Sequence, residues 1–212
     1  MTVKVVDLAK ELLPWAPGCP GPLARRELVR AAQKFCRDTQ AIHVETGDFT
    51  LPAGNGELDL NDYAGPSLKA VRLVSAKIEG LPLTQTTERA VARVHGAVPS
   101  AQQGDIRLFY DLNEHTVRTY PYPDTDRTMS MTLAVMPTDR AATFPDSLGI
   151  QWRDAVVGGA LKNICLIPGQ AYTSQDQAAR GASMYAQGVN LARIEVNRST
   201  GAELSVRMRP FA

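Results

Sequence analysis

Apolar residues recur at helical spacing near both ends of the chain and at strand spacing in its middle. Over residues 3–13, Val5, Leu8 and Leu12, with Val6 and Leu13 beside them, trace one face of a helix that stops at Pro14. The run PWAPGCPGP predicts a rigid loop. A second helix is predicted to start near Pro22, since proline is tolerated in a first turn. Leu28, Ala31, Ala32, Phe35 and Cys36 form its apolar stripe, with Arg25, Arg26, Arg30 and Lys34 falling largely elsewhere. The short connection predicts that these two helices pack together.

From about Ile42 to Val135 the period changes. HVETGDFTL, AVRLVSAKIEG, DIRLFYDL, HTVRTYPY and MSMTLAVMP alternate or are rich in β-branched and aromatic residues, which predicts strands. Turn chemistry separates them at Asn55-Gly56, Glu79-Gly80 and Leu112-Asn113-Glu114. TQTTERAVARVHG reads as a short helix between strands. Beyond Pro145, Asp146 or Ser147 can cap a helix carrying Leu148, Trp152, Ala155, Val156, Gly159, Ala160, Ile164 and Cys165 on a broad face, ended by Pro168-Gly169. A last helix follows over about 174–197, with Ala178, Ala182, Tyr185, Val189, Ala192 and Val196 at helical intervals. In GAELSVRMRPFA, Leu204, Val206 and Met208 alternate with Ser205, Arg207 and Arg209 as in a strand.

This order predicts an α+β fold. Helix pairs from the two ends form one discontinuous helical bundle (1–41 plus 145–200). An antiparallel β-sandwich or barrel-like domain (42–144) is inserted between them, and 201–212 form an extended C-terminal tail.

Composition narrows the function. Lys plus Arg number 23 against 22 acids, so the net charge is +1, too balanced for a dedicated nucleic-acid binder. Cys19, Cys36 and Cys165 are three widely spaced thiols with no CxxC pair. The sequence therefore predicts no disulfide framework and no zinc site, and a reducing compartment, with Cys36 and Cys165 as small buried hydrophobes on helices. Charges interrupt the apolar N-terminal stretch, which does not read as a secretory signal, and no apolar run is long enough to span a membrane.

Candidate chemistry is sparse. No nucleophile elbow, phosphate loop, dinucleotide fingerprint or zinc-protease spacing is present, and no cofactor is predicted. Asp105, Asp111 and Glu114 flank a predicted hairpin; solvated turn acids are the commoner reading, acid–base catalysis the rarer one. Asp59, Asn61 and Asp62 lack the glycine and distal glutamate of a calcium loop and read as a β-turn. His95 and His115 have no ligand partner nearby in sequence. Gly158-Gly159 inside an apolar helix points to close helix packing. Trp15 and Trp152 read as packing anchors. Tyr120 and Tyr122, in a Tyr-Pro-Tyr-Pro run, end a strand or contact a second subunit. The tail either adds a strand to a partner's sheet or closes this chain's own fold.

Two segments carry a family resemblance. PGCPGPLARRELVRAAQKFCRDTQ, residues 17–40, is similar to the proline-rich turn and helix of the adaptor, or head-to-tail connector, family of tailed phages, including the tail tubular protein A type of short-tailed phages. Residues 135–198 resemble its paired-helix region: a Pro-Asp start, a Trp helix, Gly-Ala-Leu, Pro-Gly and a final Ala/Arg-rich helix, in that order. The resemblance implies a non-enzymatic virion protein, made in the host cytoplasm and placed in the neck. It implies a ring, usually of twelve subunits, docked beneath the portal, with helical bundles side by side around a channel that passes double-stranded DNA without sequence readout. It implies that the tail reaches the portal, through Leu204, Val206, Arg207, Met208, Arg209 and Phe211. The opposite end would receive the tail nozzle or the next neck protein. Rival readings are another neck or tail ring component, such as a head-completion or tail-terminator protein, and a small hydrolase.

Overall fold

The computed structural model describes residues 2–95 and 103–199. In chain order the elements are β1 (Thr2–Lys4), α1 (Val5–Leu12), a 3-10 turn (Leu13–Trp15), α2 (Gly21–Thr39), β2 (His43–Glu45), β3 (Phe49–Leu51) and β4 (Glu57–Asp59). Then come α3 (Asn61–Ala64), β5 (Leu68–Ile78), β6 (Leu81–Pro82), β7 (Thr84–Gln85), α4 (Glu88–His95), β8 (Leu108–Asp111) and β9 (Thr116–Tyr120). Last are β10 (Arg127–Pro137), β11 (Thr143–Pro145), a π-helical turn (Ser147–Gln151), α5 (Arg153–Cys165) and α6 (Gln175–Ser199). The fold is α+β, as the periodicities imply.

Helices from the two ends of the chain meet. α2 packs on α1, α5 and α6, and α5 lies along α6. The α5–α6 contact is set by glycine. A Cβ at Gly181 would lie 2.5 Å from the Gly158 carbonyl oxygen and 2.8 Å from the Lys162 amide. One at Gly158 would lie 2.7 Å from Met184 Cβ, and one at Gly188 would run into Ala155 Cβ. The backbones therefore approach without intervening side chains, and α5 is buried on most of its circumference, from Ala155 to Leu161 and again at Ile164 and Cys165. Phe35 on α2 completes this centre, its ring 5.6 Å from Trp152 and edge-on to Tyr185 at 6.4 Å. Truncating a ring buried so completely costs about 3–5 kcal/mol.

The main sheet has the order β2–β10–β5–β6, with β3 pairing β10 beyond β2. β5 and β10 run antiparallel over eleven residues each, with register shifts at Thr132/Leu133 and Ala134/Val135. These irregularities explain why β5 buries Ala70, Leu73 and Ala76 at every third position instead of alternating. A second sheet, β4–β9–β8–β7, turns Phe109 and Val117 toward the main core and Tyr110 and Tyr120 away from it. α4 covers that outer face with Val91. One apolar cluster runs without a break from α1, α2 and α5 through both sheets.

Several local expectations need correction. Val3 is not helical: β1 pairs with β11, and Val3 lies against Gly149, where a Cβ would be 2.5 Å away. Neither Asp146 nor Ser147 caps the third long helix. The chain instead makes a wide turn in which the Trp152 amide donates to the Ser147 carbonyl, and α5 starts at Arg153. The turn assigned to Asn55-Gly56 lies earlier, where Gly54 takes φ +74°. Gly56 is required for another reason, since a Cβ there would enter the Tyr122 ring. Asp59 accepts from the Asn61 amide at 2.9 Å and leads into the single helical turn α3.

Gly181→Ala tests the helix contact. Alanine gains about 1 kcal/mol of helix propensity over glycine, yet its methyl meets backbone of α5. The expected net loss is about 1–3 kcal/mol in urea denaturation followed by circular dichroism. Gly47→Ala, into open space, should stay within about 0.5 kcal/mol of the parent.

Candidate functional site

Candidate chemistry does not converge. Asp105 pairs with Arg127 at 3.1 Å, alongside Asp124 at 3.1 Å and Glu79 at 3.3 Å. Asp111 accepts from Gln85 at 3.3 Å, and Glu114 is nearly fully exposed beside His115. The three acids thus serve different contacts, and Arg127 holds the Asp124 carboxyl below its ordinary range. Among the described residues no group of three or more His, Cys, Asp or Glu is placed to hold a metal ion, and no helix is long and apolar enough to cross a membrane.

What the helices build instead is a surface. α1, the 3-10 turn and α6 wall a groove of about 370 Å³ floored by Val157 and Leu161 of α5. Trp15 stands on one wall and is 41% exposed, whereas Trp152 is buried in the core at 8%. Arg180 of α6 lies over the Trp15 ring, 4.0 Å from its centroid, an interaction of about 0.5–1 kcal/mol at an exposed site. Glu11 accepts from Arg153 Nε at 2.5 Å, tying α1 to α5. Farther along, Gln151 donates to Glu195, and the exposed side chains of Ile150 and Leu191 flank that contact in sequence and helical spacing.

Polar anchors between α2 and the helices α5 and α6 went unread in the sequence. Glu27 is buried in α2 and accepts from Arg30 at 2.9 Å, Arg26 at 3.3 Å and Asn163 of α5 at 3.4 Å. Tyr185 donates to Asp38 at 2.9 Å, and Arg193 donates to the Asp38 carbonyl. An acid amid Arg25, Arg26 and Arg30 was the available signal for Glu27.

The Tyr-Pro-Tyr-Pro residues divide. Tyr120 is enclosed within its own chain against Val91 and Tyr110, whereas Tyr122 is half-buried with its ring on the Gly56 backbone. Leu204, Val206, Arg207, Met208, Arg209 and Phe211 lie outside the described residues.

The chain matches the family model of the SU10 adaptor protein over residues 4–210 and belongs to that family of phage head-to-tail adaptors. It is thereby a structural virion component that assembles with other virion proteins. No curated protein matches it.

All three thiols are buried, and burial pushes Cys36 up to about 12. A thiol pKa raised by folding adds stability that is full below the unfolded value of about 8.5 and is lost as pH rises through the folded value. Tyr185, raised by burial and by Asp38, acts in the same direction. Stability should therefore fall between about pH 8.5 and 12. Cys36→Ala should flatten that limb in urea titrations at stepped pH.

Proposed function

We propose that this chain is the ring-forming neck subunit that joins the portal of a tailed-phage head to its tail, of the tail tubular protein A type. The match to the adaptor family along nearly the whole chain carries this reading. In it, twelve copies enclose a channel through which double-stranded DNA passes without sequence readout, in keeping with the +1 net charge. Residues 1–41 and 145–200 form the helical bundle that packs against its neighbours. Residues 42–144 project from it, and 201–212 reach the portal through Leu204, Val206, Arg207, Met208, Arg209 and Phe211. The distal face receives the tail nozzle or the next neck protein. This reading is of a structural protein, in which Asp105, Asp111 and Glu114 serve separate surface contacts.

Exposed apolar groups support a lateral contact on the helical face, because Trp15, Ile150 and Leu191 stand in solvent there and gain from being covered by a second copy. Of the tyrosine pair, Tyr122 has area to offer a neighbour and Tyr120 has little.

Deleting residues 204–212 should leave a folded protein that no longer binds its portal in pull-down; binding that survives the truncation would sink the tail assignment. Electron microscopy of protein mixed with portal should show twelve-fold rings. The double variant Ile150→Glu/Leu191→Glu, at exposed positions, should keep the native circular dichroism spectrum and lose the rings.

A further inference from the structure

Where the last turn of α2 meets the main sheet there is a cleft of about 390 Å³. Arg37 from α2, Lys69 from β5 and His115 from the β8–β9 turn line it, over a floor that includes Val71 and Met136. Arg30, Arg118, Arg127 and Arg153 all have carboxylate partners. Arg37 and Lys69 make no ion pair among the described residues. His115 Nδ1 is enclosed and finds no hydrogen-bond partner among them. Glu114, the acid in the lining, is 93% exposed, stands 3.9 Å from His115 Nε2 and pairs with neither Arg37 nor Lys69.

We infer that this cleft receives the carboxylate of an acidic side chain presented by a partner protein. Two cations without an ion-pair partner line one cleft from separate elements, which complements an entering anion, and a guanidinium matches a carboxylate in two parallel hydrogen bonds. The floor decides which anion. A phosphate on duplex DNA sits on the outside of a stiff rod and gains nothing from Val71 and Met136, whereas the methylene stem of a glutamate covers them. The cleft is formed within one chain, so the inference stands apart from the ring reading and is testable on the unassembled protein.

The full-length protein is titrated with the peptide acetyl-Glu-Glu-Glu-amide while the imidazole signals of His115 are followed by NMR. Its glutamine counterpart, inorganic phosphate and a short DNA duplex are run at equal concentration. The glutamate peptide should shift His115 saturably and the glutamine peptide should not. Arg37→Gln/Lys69→Gln removes two exposed charge partners and should weaken binding about fivefold, with the circular dichroism spectrum unchanged. Glu114→Gln, which removes a competing carboxylate, should tighten it about twofold. Absence of a saturable shift, undiminished binding by the double variant, or phosphate or duplex binding at least as tight as the peptide would each overturn the assignment.

Discussion

The close approach of α5 to α6 is the constraint on which the helical part of this molecule depends. With Gly158, Gly181 and Gly188 at the crossing, backbone meets backbone and Ala155 fills what space is left. The three glycines offer no side chain there to wedge the helices apart or to adjust their spacing. α5 therefore sits deep enough for α2 to reach it with Phe35 and for α1 to reach it through Glu11 and Arg153. Small residues do here what bulky ones do in most helix pairs, which is to fix the distance between axes.

The sheets hang from that centre through α2. Gln33 donates to the Pro137 carbonyl at 3.1 Å and to Asp139 at 2.8 Å, bridging the helix to the end of β10. β10 is buried over residues 133–137, where α2 lies against it, and is paired along both edges by β5 on one side and β2 and β3 on the other. One strand thus carries the hydrogen bonding of the main sheet and its attachment to the helices.

The helices were legible because their apolar positions are long and periodic: the stripe of α2 and the glycine pair of α5 reported, respectively, a buried face and a close contact. The strands were legible as texture, but their pairing was not. Nothing local in Val71 or Val74 announces the register shifts of β5, which arise from its partner. Gly56 looked like a turn residue, although the reason for it, the ring of Tyr122, lies far away in sequence. Trp15 was legible as a packing residue of the inter-helix loop, but not its partner: a guanidinium from α6 covers one face and leaves the rest at the rim of a groove. The family, by contrast, was readable from the flanking helices alone.

The meeting of the chain's two ends also orders events during synthesis. The partners of β10 all precede it in the chain, so the sheet can close once residue 137 has emerged. α1 and α2 must wait for α5 and α6, more than a hundred residues later, before the stripe of Leu28, Ala32 and Phe35 finds cover. A nascent chain therefore carries a folded middle and an exposed apolar beginning, the state in which a protein sticks most readily to its neighbours. The emergence of α5 and α6 is what ends that exposure.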